Sequence, residues 1–290
     1  MKEAPPLHPG PEDIVVQAEA SLLEWRSFSR EDESTYDRCG FVGLVVQKDK
    51  EKHYNQGQRV IGIGPLQSHI VLHYRSCLSF PWELPILWNA AFPLALVLLI
   101  CFREISISPG ERVLVVGADI RGIMAAQFAR IAGSGWIGGS QGAKVELTGD
   151  KTIFWDQFLS LPNNSIPQGN FHVLLETSGE MEWFNQALPL VEERGRVILM
   201  SENYAAAESF DFYSHLHRRS LVLLTPGLLN PLHGLDFSKL WWPRDGNFLC
   251  FLFQSGRLKI DSLCQEIAVP ASTETPWSIP IQNGGLLLRW

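Results

Sequence analysis

One stretch near the middle of the chain constrains the fold most, because it predicts a strand, a tight turn and a helix in succession. Residues 112–116 (RVLVV) are apolar after the first position and mostly β-branched, as in a buried strand. Gly117 ends this strand, and Gly122 begins a run to residue 132 with helical apolar spacing. A glycine turn of this kind presents backbone N–H groups and a helix N-terminus to a pyrophosphate. The stretch therefore predicts the start of a dinucleotide-binding unit.

The turn departs from the dinucleotide-binding pattern at one position. The pattern has glycine two residues after Gly117, where a missing side chain lets the pyrophosphate approach, and this chain has Asp119 there. A carboxylate at about 4 Å from a phosphate charge costs on the order of 4 kcal/mol at an effective dielectric constant of about 20, before screening. Arg121 could offset part of this repulsion, and Asp119 could instead cap the helix. The sequence alone leaves open whether the turn binds a dinucleotide.

Composition and charge exclude several classes of protein. A chain of 290 residues, 46% hydrophobic and 19% charged, is long and apolar enough for a large core or two domains. The net charge of −7 argues against a nucleic-acid partner. The five cysteines are scattered without a CxxC pair, which predicts reduced thiols in a cytoplasmic protein and no cysteine-cluster zinc. The polar, proline-rich first ten residues do not have the pattern of a signal peptide.

The strongly apolar segment 86–102 is either a buried helix or a membrane span. Its length is near the lower limit for a span, which is about 17 residues. The segment contains Asn89 and Pro93, and Arg103 and Glu104 follow at once. We therefore expect a buried helix over residues 87–104 and no association with a membrane.

Short strands with glycine turns precede the central stretch and predict a small β-barrel-like domain over about residues 12–80. The expected strands are residues 14–20, 40–46, 57–64 and 68–73, with a charged hairpin tip at residues 48–52. After the central stretch, strands and helices alternate, which is typical of a parallel, doubly wound sheet. The expected strands there are 136–138, 152–154, 171–176, 196–200 and 220–224, with helices at 144–147, 182–190 and 246–255. Arg194 and Gly195 are expected to form the C-terminal turn of the second of these helices, and the tail, residues 267–290, to return to the first domain.

The order of these segments resembles the medium-chain dehydrogenase/reductase superfamily, which includes zinc alcohol dehydrogenases and quinone oxidoreductases. The residues that support the resemblance are 43–46 (GLVV), 57–60 (GQRV), 90–95 (AAFPLA), 109–117 (PGERVLVVG), 176–179 (ETSG) and 195–198 (GRVI). The resemblance implies an α/β protein with a GroES-like β-barrel domain at residues 1–93, completed by 262–290, and a Rossmann domain at residues 94–261. It also implies a nicotinamide cofactor in a cleft between the domains.

The resemblance implies zinc ligands that this chain lacks. The family commonly holds a catalytic zinc with a cysteine early in the barrel and a His–Glu pair shortly before the strand that begins at Gly43. Here the corresponding positions are Glu24 for the early cysteine and Cys39 and Gly40 for the pair. Cys39 and Glu24 with His53 or His69 would be a poor set for a site that needs three ligands, and the structural lobe of four cysteines is missing. We expect no zinc and interpret Cys39 as a small buried thiol.

The predicted second strand ends without an acidic residue, in Gly138–Gly139–Ser140–Gln141. An acidic residue there would bind the ribose of NAD, so the sequence favours NADP, with NAD as the alternative and Lys144 as the only close cation. Ser178–Gly179 and Met200–Ser201 follow later strands, where loops either line the cofactor cleft or form ordinary turns. The predicted cofactor-binding residues are Gly117, Asp119, Ile120, Arg121, Gly122, Ser140, Lys144, Ser178, Gly179, Met200 and Ser201.

No catalytic residue can be assigned. Tyr36, Ser21 and Arg38 are polar candidates to stabilise a developing oxyanion in the absence of zinc. The basic residues His215, His217, Arg218 and Arg219 could reach a phosphate or form a solvated surface, and residues 241–243 (WWP) are interpreted as packing or an interface. No nucleophile–His–acid set or carboxylate pair is recognisable, so hydrolase chemistry has no support.

Two functions remain open from the sequence. The first is a zinc-independent oxidoreductase that transfers hydride between NADP(H) and a carbonyl or activated double bond of a small molecule. The second is a catalytically degenerate homologue that acts as a binding or scaffold subunit, which the changes at Glu24, Gly40 and Asp119 favour. In either case we expect a cytoplasmic protein, with a homodimer as an analogy to the family.

Overall fold

The computed structural model describes residues 9–24, 39–79, 83–117, 119–134, 136–139, 153–154, 171–201, 210–225, 244–261, 264–269 and 285–290. Its elements are β1 (Asp13–Glu24), β2 (Cys39–Gln47), β3 (Arg59–Gly64), β4 (His69–His73), β5 (Cys77–Ser79), α1 (Ile86–Ile105), β6 (Arg112–Val116), α2 (Ile120–Ile131), β7 (Trp136–Gly139), β8 (Ile153–Phe154), β9 (Phe171–Glu176), α3 (Met181–Ala187), β10 (Val191–Leu199), β11 (Val222–Leu224), α4 (Arg244–Gln254), β12 (Cys264–Ala268) and β13 (Gly285–Arg289). The chain forms two compact units. The first unit is Met1–Leu96 with Leu232–Trp290, and the second unit is Val97–Pro231.

The first unit contains a seven-stranded sheet. Its strand order is β12-β13-β1-β2-β3-β5, and β4 pairs with β1. All the pairs are antiparallel except β12 with β13. Apolar side chains from β1, β2, β3 and β4, among them Ile14, Phe41, Val60 and Ile70, form one core cluster. The tail joins the sheet of this unit, because β13 pairs with β1.

Helix α1 is the most apolar helix of the described chain. Its length and composition alone would allow it to cross a membrane. Most of its side chains are nevertheless buried within the fold, including Phe92, Leu96, Val97 and Cys101. The helix continues through Pro93. The predicted buried helix is therefore present at the expected place.

The second unit contains a six-stranded parallel sheet in the order β11-β10-β9-β6-β7-β8. The chain starts in the middle at β6, proceeds to β7 and β8 on one side, and returns through β9 to the other side. Apolar residues of β6, β9 and β10, among them Leu114, Leu174 and Val197, pack against Phe184 of α3. This is a doubly wound sheet, and the predicted α/β fold class is confirmed. The order of the strands reverses between β6 and β9, where open sheets of this kind bind ligands.

The prediction for Arg194 and Gly195 is wrong. Helix α3 ends at Ala187 and a 3₁₀ turn, Leu188–Leu190, follows. The chain then enters the sheet at Val191, so Arg194 and Gly195 lie inside β10. The register of β10 on β9 shifts between Val191 and Arg196, and Arg194 has φ +63°. The left-handed conformation that often ends a helix here forms a bulge in a strand. The predicted helix at residues 144–147 lies outside the described residues.

Candidate functional site

The carboxyl ends of β6, β9 and β10 are joined by hydrogen bonds at the reversal point of the parallel sheet. Thr177 follows β9, and its backbone N and Oγ1 donate to the Val116 oxygen at the end of β6, at 2.8 Å and 2.9 Å. The backbone N of Met200, just after β10, donates to the backbone oxygen of Glu176 at 2.7 Å. Residues at this edge are therefore held in fixed positions relative to one another.

Two glycines allow the turn after β6 to pack against the residue that follows β9. Gly117 has φ +132°, a conformation that L side chains rarely adopt, and a Cβ added there would lie 2.0 Å from Thr177 Oγ1. A Cβ added to Gly122, in the first turn of α2, would lie 2.1 Å from the Gly117 oxygen. The geometry thus requires glycine at both positions. These are the first and third glycines of the dinucleotide-binding pattern.

Asp119 lies between these glycines and caps α2. Its backbone is extended (φ −76°, ψ 178°), and its Oδ1 accepts a hydrogen bond from the Gly122 N at 3.0 Å. The residue is 5% exposed. Its second oxygen, Oδ2, is buried and has no hydrogen-bond partner in the described part of the chain. Of the two roles left open by the sequence, the cap is present in the structure.

The side chains of Ile120 and Arg121 point to different surroundings. Ile120 is fully buried, so its side chain contributes to the core. Arg121 is half-buried, and its Nη1 donates to the Met200 backbone oxygen at 2.9 Å. The structure therefore brings together Arg121 of the turn and Met200 of the β10 end, two residues that the sequence assigned to one site. Ser201, the next residue, is half-buried.

Sequence reasoning missed Glu176, the last residue of β9. Its carboxylate is fully buried. Its Oε1 accepts hydrogen bonds from the Ser178 N at 2.7 Å, the Ser178 hydroxyl and the Gly179 N at 3.0 Å. The predicted contacts Ser178 and Gly179 are themselves buried and bonded to this carboxylate. The available signal was a single carboxylate that ends an apolar strand and is followed by small polar residues.

Several sequence candidates cannot be placed in this site. Ser140, Lys144, Tyr36, Arg38 and residues 241–243 lie outside the described residues, as does the side chain of Glu24. Ser21 is fully buried in β1, and its Oγ accepts a hydrogen bond from Trp290 Nε1 at 2.9 Å.

The residues considered as zinc ligands make separate contacts in the first unit. Cys39 Sγ lies 3.4 Å from the Gly64 oxygen, His53 Nδ1 lies 2.7 Å from Asp49 Oδ2, and His69 Nδ1 lies 3.3 Å from Ser68 Oγ. Gly40 packs against α1, where an added Cβ would lie 2.2 Å from the Ala90 oxygen. Within the described ranges, no group of three or more His, Cys, Asp or Glu residues could hold a metal ion.

The five cysteines are free thiols. Burial raises the pKa of Cys77, and it raises the pKa values of Cys101, Cys250 and Cys264 to about 12. Because the thiolate is the nucleophile, these four side chains are poorly suited to nucleophilic catalysis.

The basic cluster after β10 is partly structural. The guanidinium of Arg219 donates to the backbone oxygens of Leu188, at 2.8 Å, and of Val191. Burial lowers the pKa of Arg219. His217 stacks on Tyr213 with ring centroids 5.3 Å apart, and His215 contacts the ring of Phe210. Arg219 therefore holds the beginning of β10, while Arg218 is exposed.

The backbone of the site fits a dinucleotide better than its side chains do. The strand, the left-handed glycine and the N-terminus of α2 have the arrangement that binds a pyrophosphate. The Asp119 carboxylate, however, lies on that helix end and already accepts the Gly122 N–H.

Known structures share this fold over the whole chain. Galactitol-1-phosphate dehydrogenase from Escherichia coli superposes with a TM-score of 0.72 at 14% identity, covering 100% of this chain and 96% of that one. Quinone oxidoreductase from Escherichia coli, in complex with NADPH, has a TM-score of 0.70 at 17% identity and coverage of 99% and 94%. A thermostable alcohol dehydrogenase from Pyrobaculum aerophilum has a TM-score of 0.67 at 18% identity and coverage of 98% and 93%.

These matches establish the fold. No protein-family profile matches the sequence, and no curated protein sequence matches it. The resemblance to medium-chain dehydrogenases and reductases is confirmed at the level of the fold, with a GroES-like sheet and a Rossmann sheet in one chain.

Proposed function

We propose that this protein is a zinc-independent oxidoreductase that transfers hydride between NADP(H) and a carbonyl or activated double bond of a small molecule. The observation that supports the proposal most is the turn between β6 and α2. It has a left-handed glycine, a close approach to Thr177 and a helix N-terminus, all at the reversal point of a doubly wound sheet. The similarity in fold to a quinone oxidoreductase in complex with NADPH supports the same cofactor class.

The residues that would hold the dinucleotide lie along the carboxyl edge of the parallel sheet. Backbone groups of the turn from Gly117 to Gly122 would bind the pyrophosphate. The nicotinamide end of the cofactor would lie against the residues that follow β9 and β10, which are Ser178, Gly179, Met200 and Ser201. The absence of an acidic residue after Gly139 favours NADP over NAD, with Ser140 and Lys144 as the proposed contacts to its adenosine end.

The bound nicotinamide would supply the hydride in the reaction. That hydride would add to the carbonyl carbon or to the β-carbon of the activated double bond, leaving the nicotinamide oxidised, and a proton from solvent or a side-chain donor would be added at the oxygen or the α-carbon. The chain's contribution is to orient the two reactants and to provide donors for the developing oxyanion without a metal. A cytoplasmic location and a homodimeric state belong to the same proposal, and reduced cysteines are consistent with that location.

The proposal is tested by incubating the purified chain with NADPH and a panel of quinones, enones and aldehydes. We expect NADPH to be consumed with at least one class, and we expect a strong zinc chelator to leave the rate unchanged. A rate abolished by the chelator and restored by zinc would contradict zinc independence. No consumption with any class would favour the scaffold function that the sequence left open.

A further inference from the structure

The Asp119 carboxylate occupies the end of α2 where a phosphate would bind. It accepts the Gly122 N–H at 3.0 Å, and the residue is 5% exposed. Helix N-termini bind anions because their first N–H groups lack partners within the helix and carry partial positive charge. A carboxylate and a phosphate oxygen are equivalent acceptors for such a group. In this chain the acceptor is built into the protein.

The second oxygen of this carboxylate shows that the position is more than an ordinary cap. Asp119 Oδ2 is buried without a hydrogen-bond partner among the described residues. A surface cap keeps its second oxygen in water, and a buried carboxylate oxygen without a partner is costly. Nearby, Arg121 Nη1 donates to the Met200 backbone oxygen. The turn therefore contains a buried carboxylate, and its hydrogen bond among the described residues is the one from the Gly122 N–H at the end of α2.

We propose that Asp119 is an intramolecular competitor for the dinucleotide phosphate and sets a low affinity for the cofactor. This inference rests on the proposed function and concerns the same turn. A pyrophosphate entering the turn has to displace the carboxylate from the Gly122 N–H or share the helix end with a like charge. Removing the charge should therefore strengthen binding, contrary to the usual effect of changing a residue in a binding site.

Three variants of the full chain separate charge from capping. Asp119→Asn removes the charge and keeps an oxygen that can accept the Gly122 N–H, because asparagine caps helices about as well as aspartate. Asp119→Gly removes both the charge and the side chain. Asp211→Asn is the matched control, because Asp211 Oδ1 accepts the Ser214 N–H at 3.0 Å with the same three-residue spacing. Circular dichroism and thermal melting establish that each variant is folded.

Each variant is titrated with NADPH by nicotinamide fluorescence and with inorganic pyrophosphate by thermal shift. We expect Asp119→Asn to lower the Kd for NADPH by about tenfold, which corresponds to removal of one screened like-charge contact. We expect Asp119→Gly to lower it at least as much, with a lower melting temperature because the cap is lost. Asp211→Asn should leave the Kd unchanged.

The outcomes distinguish this inference from the proposed function. If the wild-type chain binds NADPH and neither Asp119 variant binds it more tightly, the inference is overturned while the proposed function stands. If only the Asp119 variants bind, the inference is supported and the wild-type chain is not an NADPH-dependent enzyme. If no variant binds NADPH or pyrophosphate, both are overturned.

Discussion

At Gly40 the packing of β2 on α1 leaves no room for a side chain. An added Cβ would lie 2.2 Å from the Ala90 oxygen and 3.4 Å from its carbonyl carbon. The clash is with backbone of α1, so no side-chain rotation relieves it. The position where the resemblance implies a zinc ligand therefore cannot accept one without movement of the helix.

We predict that Gly40→Ala lowers the free energy of unfolding by about 3 kcal/mol, because the new methyl group forces the backbones of β2 and α1 apart. Gly110→Ala is the control. Gly110 has φ +85° and open space around its Cβ direction, so only backbone strain of about 1 kcal/mol is expected. Urea unfolding of both variants measures the difference. Equal losses would contradict the proposed contact between Gly40 and Ala90.

The residues of the site show what sequence can and cannot predict at this scale. Gly117 and Gly122 were identified because a turn of fixed spacing restricts which residues fit. The position of Asp119 in the turn also predicted two possible roles, repulsion of a phosphate and capping of α2. The structure shows the cap. Glu176 was missed because its described partners are mainly the backbone N–H groups of Ser178 and Gly179, with the Ser178 hydroxyl as the side-chain donor. Backbone donors leave no trace in the pattern of side chains.

Among the elements, the loop between β2 and β3 contains a buried carboxylate. The sequence predicts a charged hairpin tip at residues 48–52; its four other residues are exposed, whereas Asp49 is 4% exposed. Its oxygens accept hydrogen bonds from the backbone N of Glu51 and of His53, both at 3.1 Å, and lie 2.7 Å from His53 Nδ1. The His53 ring stacks on Tyr74 with centroids 3.6 Å apart. Asp49 thus organises the loop from within.

The pKa of Asp49 gives this loop a pH dependence with a definite sign. Burial acts to raise the pKa, but the hydrogen bonds and charge of His53 outweigh it and hold the pKa of Asp49 below its ordinary value. An unfolded carboxyl titrates near its ordinary value of about 3.9. Asp49 therefore stabilises the fold above that pH, and the contribution is lost as the pH falls through the lower pKa of the folded state.

We predict that Asp49→Ala lowers the free energy of unfolding by about 2 kcal/mol at neutral pH, because the partly buried donors of Glu51 and His53 lose their charged acceptor. The difference from wild type should shrink as the pH falls below about 4. Glu51→Ala, on the same loop with a side chain 75% exposed, should change stability little. Urea unfolding at a series of pH values measures both. A difference that does not decline in acid would refute the assigned role of Asp49.

The strands of both units were predictable because alternation and apolar runs are local signals. The failure at Arg194 has a physical cause. A basic residue followed by glycine after an apolar run is compatible with a helix end and with a strand bulge, because a left-handed residue occurs in both. Here that residue is Arg194. The pairing of β10 with β9 decides in favour of the bulge. A short stretch of sequence does not reveal which other strand it will pair with.

At the scale of the whole molecule, the sequence predicted the fold class and the resemblance of the chain to medium-chain dehydrogenases and reductases. The fold is shared over nearly the full length of solved structures that are only 14–18% identical in sequence. The function is less constrained, because a fold accommodates sites that bind and sites that no longer do. Whether such a site binds its ligand depends on few residues. In this chain, both the sequence and the structure indicate Asp119 as one of them.

The proposed function is tested most directly by a titration of the purified, folded wild-type chain with NADPH, followed by calorimetry and nicotinamide fluorescence, with NADH in parallel. We expect saturable binding of NADPH that is tighter than that of NADH, because the second strand ends without an acidic residue. We also expect the affinity for NADPH to be weak, because the Asp119 carboxylate lies at the end of α2. The absence of any heat or fluorescence change at about 1 mM NADPH, where ΔG of binding would be near −4 kcal/mol, would contradict the proposed function.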